Sequence, residues 1–389
     1  MSTEMNRTDL AEKTVVLISR DSEGVLLFRR RVIEEAISQG CRVAVISGDE
    51  GDLHDRLYRE TGAELFEVRF SGSSINPFGE LATLFSIRKL LARLRPDIVH
   101  CFTIRAVLYG LVASYLVRTP VRIATITGLG YAFTSSRSGL RRIAIWLYKM
   151  SLRKAHWVFF QNGDDLQFFR SIGLVSPQVS SEVPGSGVDI HKFSPRLIPR
   201  PATDGSVNVL MIGRILKDKG AMEYIEAARL LRSKGVSVNF EMVGGFDAKN
   251  PSAIPEAVLQ GATSKQLVKW HGKTDDVRPI VSSADIVVLP SYREGTPRSL
   301  LEAAAMGKPL VATDVPGCRN VVQDGVNGVL VPPRDPAALA DAIESLVHDP
   351  AKRQLMGGNG RKIVEDRFDE RFVADTTLGK YRELLKNLG

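Results

Sequence analysis

The sequence predicts an α/β protein built from two Rossmann-like parallel-sheet domains facing a cleft. Three observations carry this prediction. Short apolar runs alternate with helix-length amphipathic segments along most of the chain, the pattern of strands joined by covering helices. The alternation stops at residues 196–205 (RLIPRPATDG), where Pro199 and Pro201 interrupt any periodicity, and then restarts. Finally, 389 residues exceed one ordinary core and suit two domains of about 150–200 residues each. The expected division is a flexible 1–12, a first domain over 13–195, a linker over 196–205, a second domain over 206–369 and a last helix over 370–389.

Taken in order, 14–19 (TVVLIS) reads as the first strand, followed by a polar turn through Gly24. An amphipathic helix then places Val25, Val32, Ile33, Ala36 and Ile37 on one side and stops at Gly40. Strands follow at 42–47, 63–68, 97–101, 121–125, 157–161 and 179–183. Helices separate the first four of them at 52–61, 77–94 and onward to about 116, and a basic helix over 137–154 precedes the strand at 157–161. Beyond the linker, strands are expected at 207–212, 238–243, 267–270 and 285–289, with helices at 221–234, 255–264 and 276–283. Helices at 336–347, 350–366 and 370–387 finish the chain. Ligands in such sheets sit at the carboxyl ends of the strands.

Composition narrows the function classes. With 44% hydrophobic and 25% charged residues, the chain has the make-up of a soluble globular protein. The first residues, MSTEMNRTDLAEK, have no signal-peptide core, and no run approaches the ~18 apolar residues of a membrane span; the expectation is a cytoplasmic protein. Cys41, Cys101 and Cys318 lack a CxxC pair and read as reduced, packed thiols. The six histidines show no metal-ligand spacing, and nothing points to nucleic acid. The net charge of +8 is uneven. Between Pro77 and Val158 stand 13 Lys and Arg against Glu80 and Asp97, a balance of +11, so the remainder sums to −3. That asymmetry calls for an anionic partner on the first half.

Residues 285–317 hold the densest signal: a buried strand, a sharp loop, a short helix, a glycine stop and a second strand. Thr296 suits a helix cap, Pro297 the first turn and Gly307 the stop. Unpaired amides at such a helix start, with the positive pole of its dipole, attract a diphosphate, and Gly295 lets backbone approach it. Glu294 lies in the loop, whereas Glu302 lies six residues past the expected cap, about 9 Å along the axis. One carboxylate then faces each end of an extended ligand. A ribose and a hexose joined by diphosphate would offer both the hydroxyl donors they need. By spacing alone, two solvated glutamates remain the alternative.

The pattern P-S-x-x-E-G-x-P-x-x-x-L-E-A-x-A-x-G-x-P over 290–309 resembles the signature of glycosyltransferase family 4, the retaining GT-B enzymes. So do GRILKDKG at 213–220, PGSGVDIHKFSP at 184–195, TGLGYAFTS at 127–135 and DVPGCRNVVQDGVNGVLVPP at 314–333. The resemblance runs from about residue 14 to 370 and is nearest to the branch that builds bacterial capsules and lipid-linked oligosaccharides. It implies a GT-B fold whose last helix returns to the first domain. It also implies a UDP-linked sugar as donor and a polyprenyl-diphosphate-linked saccharide as acceptor, with no cofactor. Nucleotide contacts fall at turns such as 243–245 and 271–273, including Gly244 and Lys273. The resemblance further implies that the acceptor attacks on the face that the diphosphate leaves.

Other residues carry readings of their own. Arg214 and Lys219, flanked by Gly213 and Gly220, follow a strand where cations hold a diphosphate and stabilise its departing charge; a solvated loop is the alternative. Thr127 and Gly128 open a loop after another strand. Many relatives have a histidine where Thr127 stands, and threonine cannot carry a proton near neutral pH, so no base role transfers to it. Only Gly24 stands where relatives often have paired glycines. His100 and Arg105 flank a strand end, the first as either a functional group or a packed histidine. His271 reads as a structural neighbour. No D-x-D occurs, so a metal-independent site is expected. Arg137, Arg141, Arg142, Lys149, Arg153 and Lys154, interleaved with Ile143, Trp146 and Leu147, suit an anionic membrane surface. Arg88, Lys89, Arg93 and Arg95 add a second basic group. With these residues, the resemblance implies a membrane-associated retaining glycosyltransferase of envelope polysaccharide synthesis, moving a GalNAc- or hexose-type sugar. A nucleotide-sugar epimerase and a non-catalytic nucleotide-sugar-binding scaffold are the competing readings.

Overall fold

In the computed structural model, residues 10–48, 53–70, 77–129, 138–198, 205–248 and 250–388 are described. Arg137, most of the 196–205 stretch and the 130–135 part of the TGLGYAFTS motif lie outside them.

In the first unit, β1 (Thr14–Ile18) sends Val15 and Leu17 into one buried cluster and Val16 and Ile18 into another. A strand whose side chains alternate between two cores must be covered on both faces, which is why it reads as an unbroken apolar run. Six more strands join it: β2 (Arg42–Ser47), β3 (Glu64–Glu67), β4 (Ile98–Phe102), β5 (Val121–Ile126), β6 (Trp157–Phe160) and β7 (Ser180–Glu182). All pairs are parallel, in the order β3-β2-β1-β4-β5-β6-β7. The helices are α1 (Ser22–Ser38), α2 (Leu53–Thr61), α3 (Pro77–Leu94), α4 (Ile104–Leu116), α5 (Ser138–Leu152) and α6 (Gly163–Ser171). Sequence periodicity did not find α6, which has nine residues, of which Asp165, Leu166 and Phe169 are buried.

The second unit repeats the scheme with β8 (Val207–Ile212), β9 (Val238–Val243), β10 (Lys269–Trp270), β11 (Ile286–Leu289), β12 (Leu310–Thr313) and β13 (Gly328–Val331). Their order is β10-β9-β8-β11-β12-β13, all parallel. The intervening helices are α7 (Ala221–Ser233), α8 (Glu256–Ser264), α9 (Arg278–Ser283), α10 (Arg298–Ala305), α11 (Cys318–Val321), α12 (Pro336–Val347) and α13 (Pro350–Arg367). In each sheet the order reverses beside the first strand, at β1/β4 and at β8/β11. Such a reversal leaves a crevice at the carboxyl ends of the strands.

The chain divides at Ser186–Gly187, ahead of the expected 196–205 stretch. The physical reason is burial: Val188, Ile190 and Phe193 belong to a core of the second unit, and Val188 pairs with Asp369. Residues Arg371–Gly389, most of α14 (Glu370–Lys386), belong to the first unit. There Val373, Ala374, Leu378 and Tyr381 join the cluster containing Val15 and Leu17.

Candidate active site

At the reversal in the second sheet, the loop after β8 meets the loop after β11. Glycines permit the approach. Gly220 has φ 76°, and a Cβ there would stand 2.1 Å from the Pro290 carbonyl oxygen. Only a residue without a side chain accepts both demands. Across this contact the Tyr292 N–H donates to the Asp218 carbonyl at 2.9 Å, and the Ser291 hydroxyl donates to the same carbonyl at 3.0 Å. The Tyr292 hydroxyl donates to Glu223 at 2.6 Å. So joined, the loops bring the Lys219 Nζ within 2.5 Å of Glu294 Oε1, with 22% and 12% of the side chains exposed. Arg214 is exposed in the same loop as Lys219, with no ion pair among the described residues. The pair is a cation and an acceptor side by side at a strand-end crevice, where phosphate oxygens and sugar hydroxyls need opposite partners.

Neighbouring strand ends are stitched by backbone. The Gly213 N–H donates to the Val243 carbonyl at 2.9 Å, and the Gly244 N–H to the Gly272 carbonyl at 2.8 Å. Trp270 donates its indole N–H to the Gly244 carbonyl at 3.0 Å. His271 Nε2 lies 2.6 Å from Glu241 Oε2, so its ring is held by the strand beside it, a structural role. Lys273 follows, exposed.

Two details of α10 differ from expectation. Pro297, not Thr296, occupies the N-cap position, and no side-chain hydrogen bond caps the helix. Proline has no N–H to satisfy, and its extended ψ of 112° turns the chain into the helix; Thr296 is buried instead. Glu302 therefore lies five residues past the cap. It accepts from Arg298 Nε at 2.9 Å, an i,i+4 pair on one side of the helix. Burial pushes the Glu302 carboxyl above its ordinary range, while Arg298 and Lys192 pull it back. Lys192 comes from the segment before β8 and was missed; its separation of 110 positions from Glu302 leaves no local signal.

The raised carboxyl has a testable sign. The folded state holds this proton more tightly than the unfolded chain, so ionising Glu302 costs stability as pH rises through the carboxylate range. Glu302→Gln should hold or raise the melting temperature at neutral pH, with the gain fading in acid. If its carboxylate receives ribose hydroxyls, the same change should weaken free UDP about 10–100-fold, the scale of a hydrogen bond to a charged group. Glu294→Gln should spare free UDP and harm use of the whole donor. Equal weakening by both variants, measured by titration calorimetry, contradicts the end-to-end placement.

In the first unit the sequence candidates scatter. Gly24 lies inside α1, not in a turn before it: Asp21 is the N-cap and accepts the Gly24 N–H at 2.6 Å, which starts the helix earlier. Thr127 and Gly128, the latter with φ 140°, stand half-buried just past β5. Arg105 pairs with Glu80 at 3.4 Å. His100 is a packed residue in mid-strand, its Nδ1 2.7 Å from the Tyr381 hydroxyl and its Nε2 2.7 Å from Thr125 Oγ1. Burial, with Arg29 nearby, holds its pKa well below the usual value, so the ring stays neutral and structural. The three cysteines are free and buried. Among the described residues no cluster of three His, Cys, Asp or Glu could hold a metal ion, and no helix is long and apolar enough to cross a membrane. On α5, Arg141, Arg142, Trp146 and Lys149 are all exposed.

Known proteins match both halves. A family model described as "Glycosyl transferase 4-like" matches residues 15–162, and one described as "Glycosyl transferases group 1" matches 206–349. The N,N'-diacetylbacillosaminyl-diphospho-undecaprenol alpha-1,3-N-acetylgalactosaminyltransferase of Campylobacter jejuni is 29% identical, over 95% of this chain and 99% of that protein. The UDP-Gal:alpha-D-GlcNAc-diphosphoundecaprenol alpha-1,3-galactosyltransferase of Escherichia coli is 23% identical, over 83% and 84%. Among solved structures, sucrose-phosphate synthase from Thermosynechococcus elongatus superposes with a TM-score of 0.79 at 20% identity, over 97% of this chain and 100% of that one. HepE of Anabaena in complex with UDP-glucose gives 0.78 at 19%, over 96% and 100%. The fold is GT-B, and with each sheet matched by its own family model, the chain belongs to glycosyltransferase family 4.

Proposed function

We propose that this glycosyltransferase moves a GalNAc- or hexose-type sugar from a UDP-linked donor to a polyprenyl-diphosphate-linked saccharide during envelope polysaccharide assembly. The observation that carries the reading is the Lys219–Glu294 pair at the β8/β11 reversal. Lys219 and Arg214 neutralise the diphosphate as charge grows on it, Glu294 accepts hydroxyls of the departing sugar, and Glu302 accepts those of the ribose. Gly295 and the α10 amides complete the phosphate cradle. The acceptor hydroxyl attacks on the face the diphosphate leaves and gives its proton to a diphosphate oxygen, so the anomeric configuration is kept. Cationic side chains do the work of a metal. Both the Campylobacter and the Escherichia relatives carry diphospho-undecaprenol acceptors in their names, which favours a lipid-linked acceptor here.

The test is turnover of a panel of UDP- and GDP-sugars with a lipid-diphosphate acceptor, in the presence of chelator. Product should form with UDP-GalNAc or a UDP-hexose, survive chelation and show the donor's anomeric configuration by proton NMR. An absolute need for added manganese, or an inverted product, overturns the mechanism.

The acceptor's lipid places the enzyme at the inner face of the cytoplasmic membrane, bound reversibly through α5. Arg141, Arg142 and Lys149 are exposed there, with Trp146 at 59% and Ile143 at 57% exposure. Each basic residue near an anionic surface contributes about 1 kcal/mol. Reversing the three to Glu should release the protein from anionic vesicles in a sedimentation assay while UDP binding is unchanged. Equal sedimentation of wild type and variant with anionic and neutral vesicles would assign α5 to a solvated face.

A further inference from the structure

A second helix exposes apolar surface that the reading above does not use. On α3, Phe78 is 84% exposed, Leu81 51% and Phe85 59%. The spacing of three and four residues places them on one side of the helix. That side then changes character: Arg88 and Lys89 follow Phe85 at the same spacing, and Arg93 and Arg95 lie beyond, all exposed. The only acid of α3, Glu80, is turned onto Arg105. So the exposed residues are sorted along the axis, apolar at the start and cationic at the end. A helix lying flat on a bilayer sorts them around its axis instead.

The apolar stretch from Phe78 to Phe85 spans about 10 Å, the depth to which interfacial apolar groups sink past the headgroups. The cations behind it would then lie at headgroup level, where anionic lipid attracts them. Helix α4 packs against both α3 and α5, and buried residues of all three share one core cluster, so α3 and α5 cover the same face of the first sheet. Because α3 follows β3 in a parallel sheet, its apolar start lies toward the carboxyl ends of the strands.

We propose that α3 enters an anionic bilayer lengthwise, its Phe78–Leu81–Phe85 end inserted, and turns the carboxyl ends of the first sheet toward the lipid. Charge decides between occupants: three cations on the helix, with Arg95 just past its end and no exposed acid on it, complement an anionic lipid surface, whereas the core of a protein interface is depleted of such charge. The proposal goes beyond attachment through α5 and concerns orientation. Its consequence for acceptor delivery rests on the proposed function, but its test needs no turnover.

The cysteines are buried, so an introduced surface thiol can be labelled selectively. An environment-sensitive fluorophore is placed on Leu81→Cys or on Ala92→Cys, and vesicles of equal phosphatidylglycerol and phosphatidylcholine are added. The label at 81 should brighten and shift to the blue, while the label at 92 should change little. In addition, Leu81→Gln/Phe85→Gln should lose vesicle binding that wild type retains in high salt, about tenfold or more for two apolar side chains, with UDP affinity intact. Equal shifts at both positions mean the helix lies flat and overturn the proposal, as does no shift at either. High-salt binding that survives the double variant also overturns it. So does a soluble dimer, seen by sedimentation velocity without vesicle binding and abolished by the same variant, which would assign the surface to a protein partner. Loss of UDP binding or of turnover in wild type bears on the proposed function alone.

Discussion

Lys219→Ala is expected to lower kcat/KM by about 100–1,000-fold, the scale of removing one preorganised electrostatic donor. The structure adds a second expectation. Glu294 is 12% exposed and bonded to Lys219, so the substitution leaves a mostly buried carboxylate without its cation and costs about 1–3 kcal/mol of folding stability. Arg214 is exposed, and Arg214→Ala should lower turnover on a similar scale without that loss. Combining Lys219→Ala with Glu294→Gln should recover stability but not activity. Their stability effects should be non-additive by about 0.5–3 kcal/mol. Thermal unfolding beside steady-state kinetics for the four variants checks this. Normal turnover by Lys219→Ala would falsify the assignment of this residue to the donor diphosphate.

Gly220→Ala should be strongly damaging for a single methyl group. Its φ of 76° costs an L-residue about 1–2 kcal/mol. Crowding against the Pro290 carbonyl oxygen, 2.1 Å from the added carbon, should cost a further ~1–3 kcal/mol. Relief requires the two loops to part, and that separates Lys219 from Glu294. Stability and donor turnover should therefore fall together. Gly235 supplies the control: its φ is 74°, yet a Cβ there meets nothing within 4 Å, so Gly235→Ala should carry the backbone cost alone and leave turnover unchanged. If the two substitutions prove equally harmful in melting temperature and kinetics, the close approach at Pro290 is not what demands glycine.

The sequence by itself determined the two sheets and most of their elements. A strand covered on both faces must be apolar at every position, and a helix between such strands must be apolar at one face, so periodicity exposes both. The loops of the proposed donor site were legible too, because glycine and proline at 213, 220 and 297 answer to backbone demands. What the tertiary structure decided is partnership. Nothing local says that Tyr381 fills the space beside His100, that Lys192 stands near Glu302, or that Val188 buries itself in the second unit rather than the first. Asp21 drew Gly24 into a helix through a capping bond that the apolar pattern does not register. Most of all, Phe78, Leu81 and Phe85 have the spacing of a core stripe, and the chain carries no mark that they face outward. A helix's apolar residues reveal that a face exists. Only the packing of α3 against α4 shows which face is covered and which one is exposed.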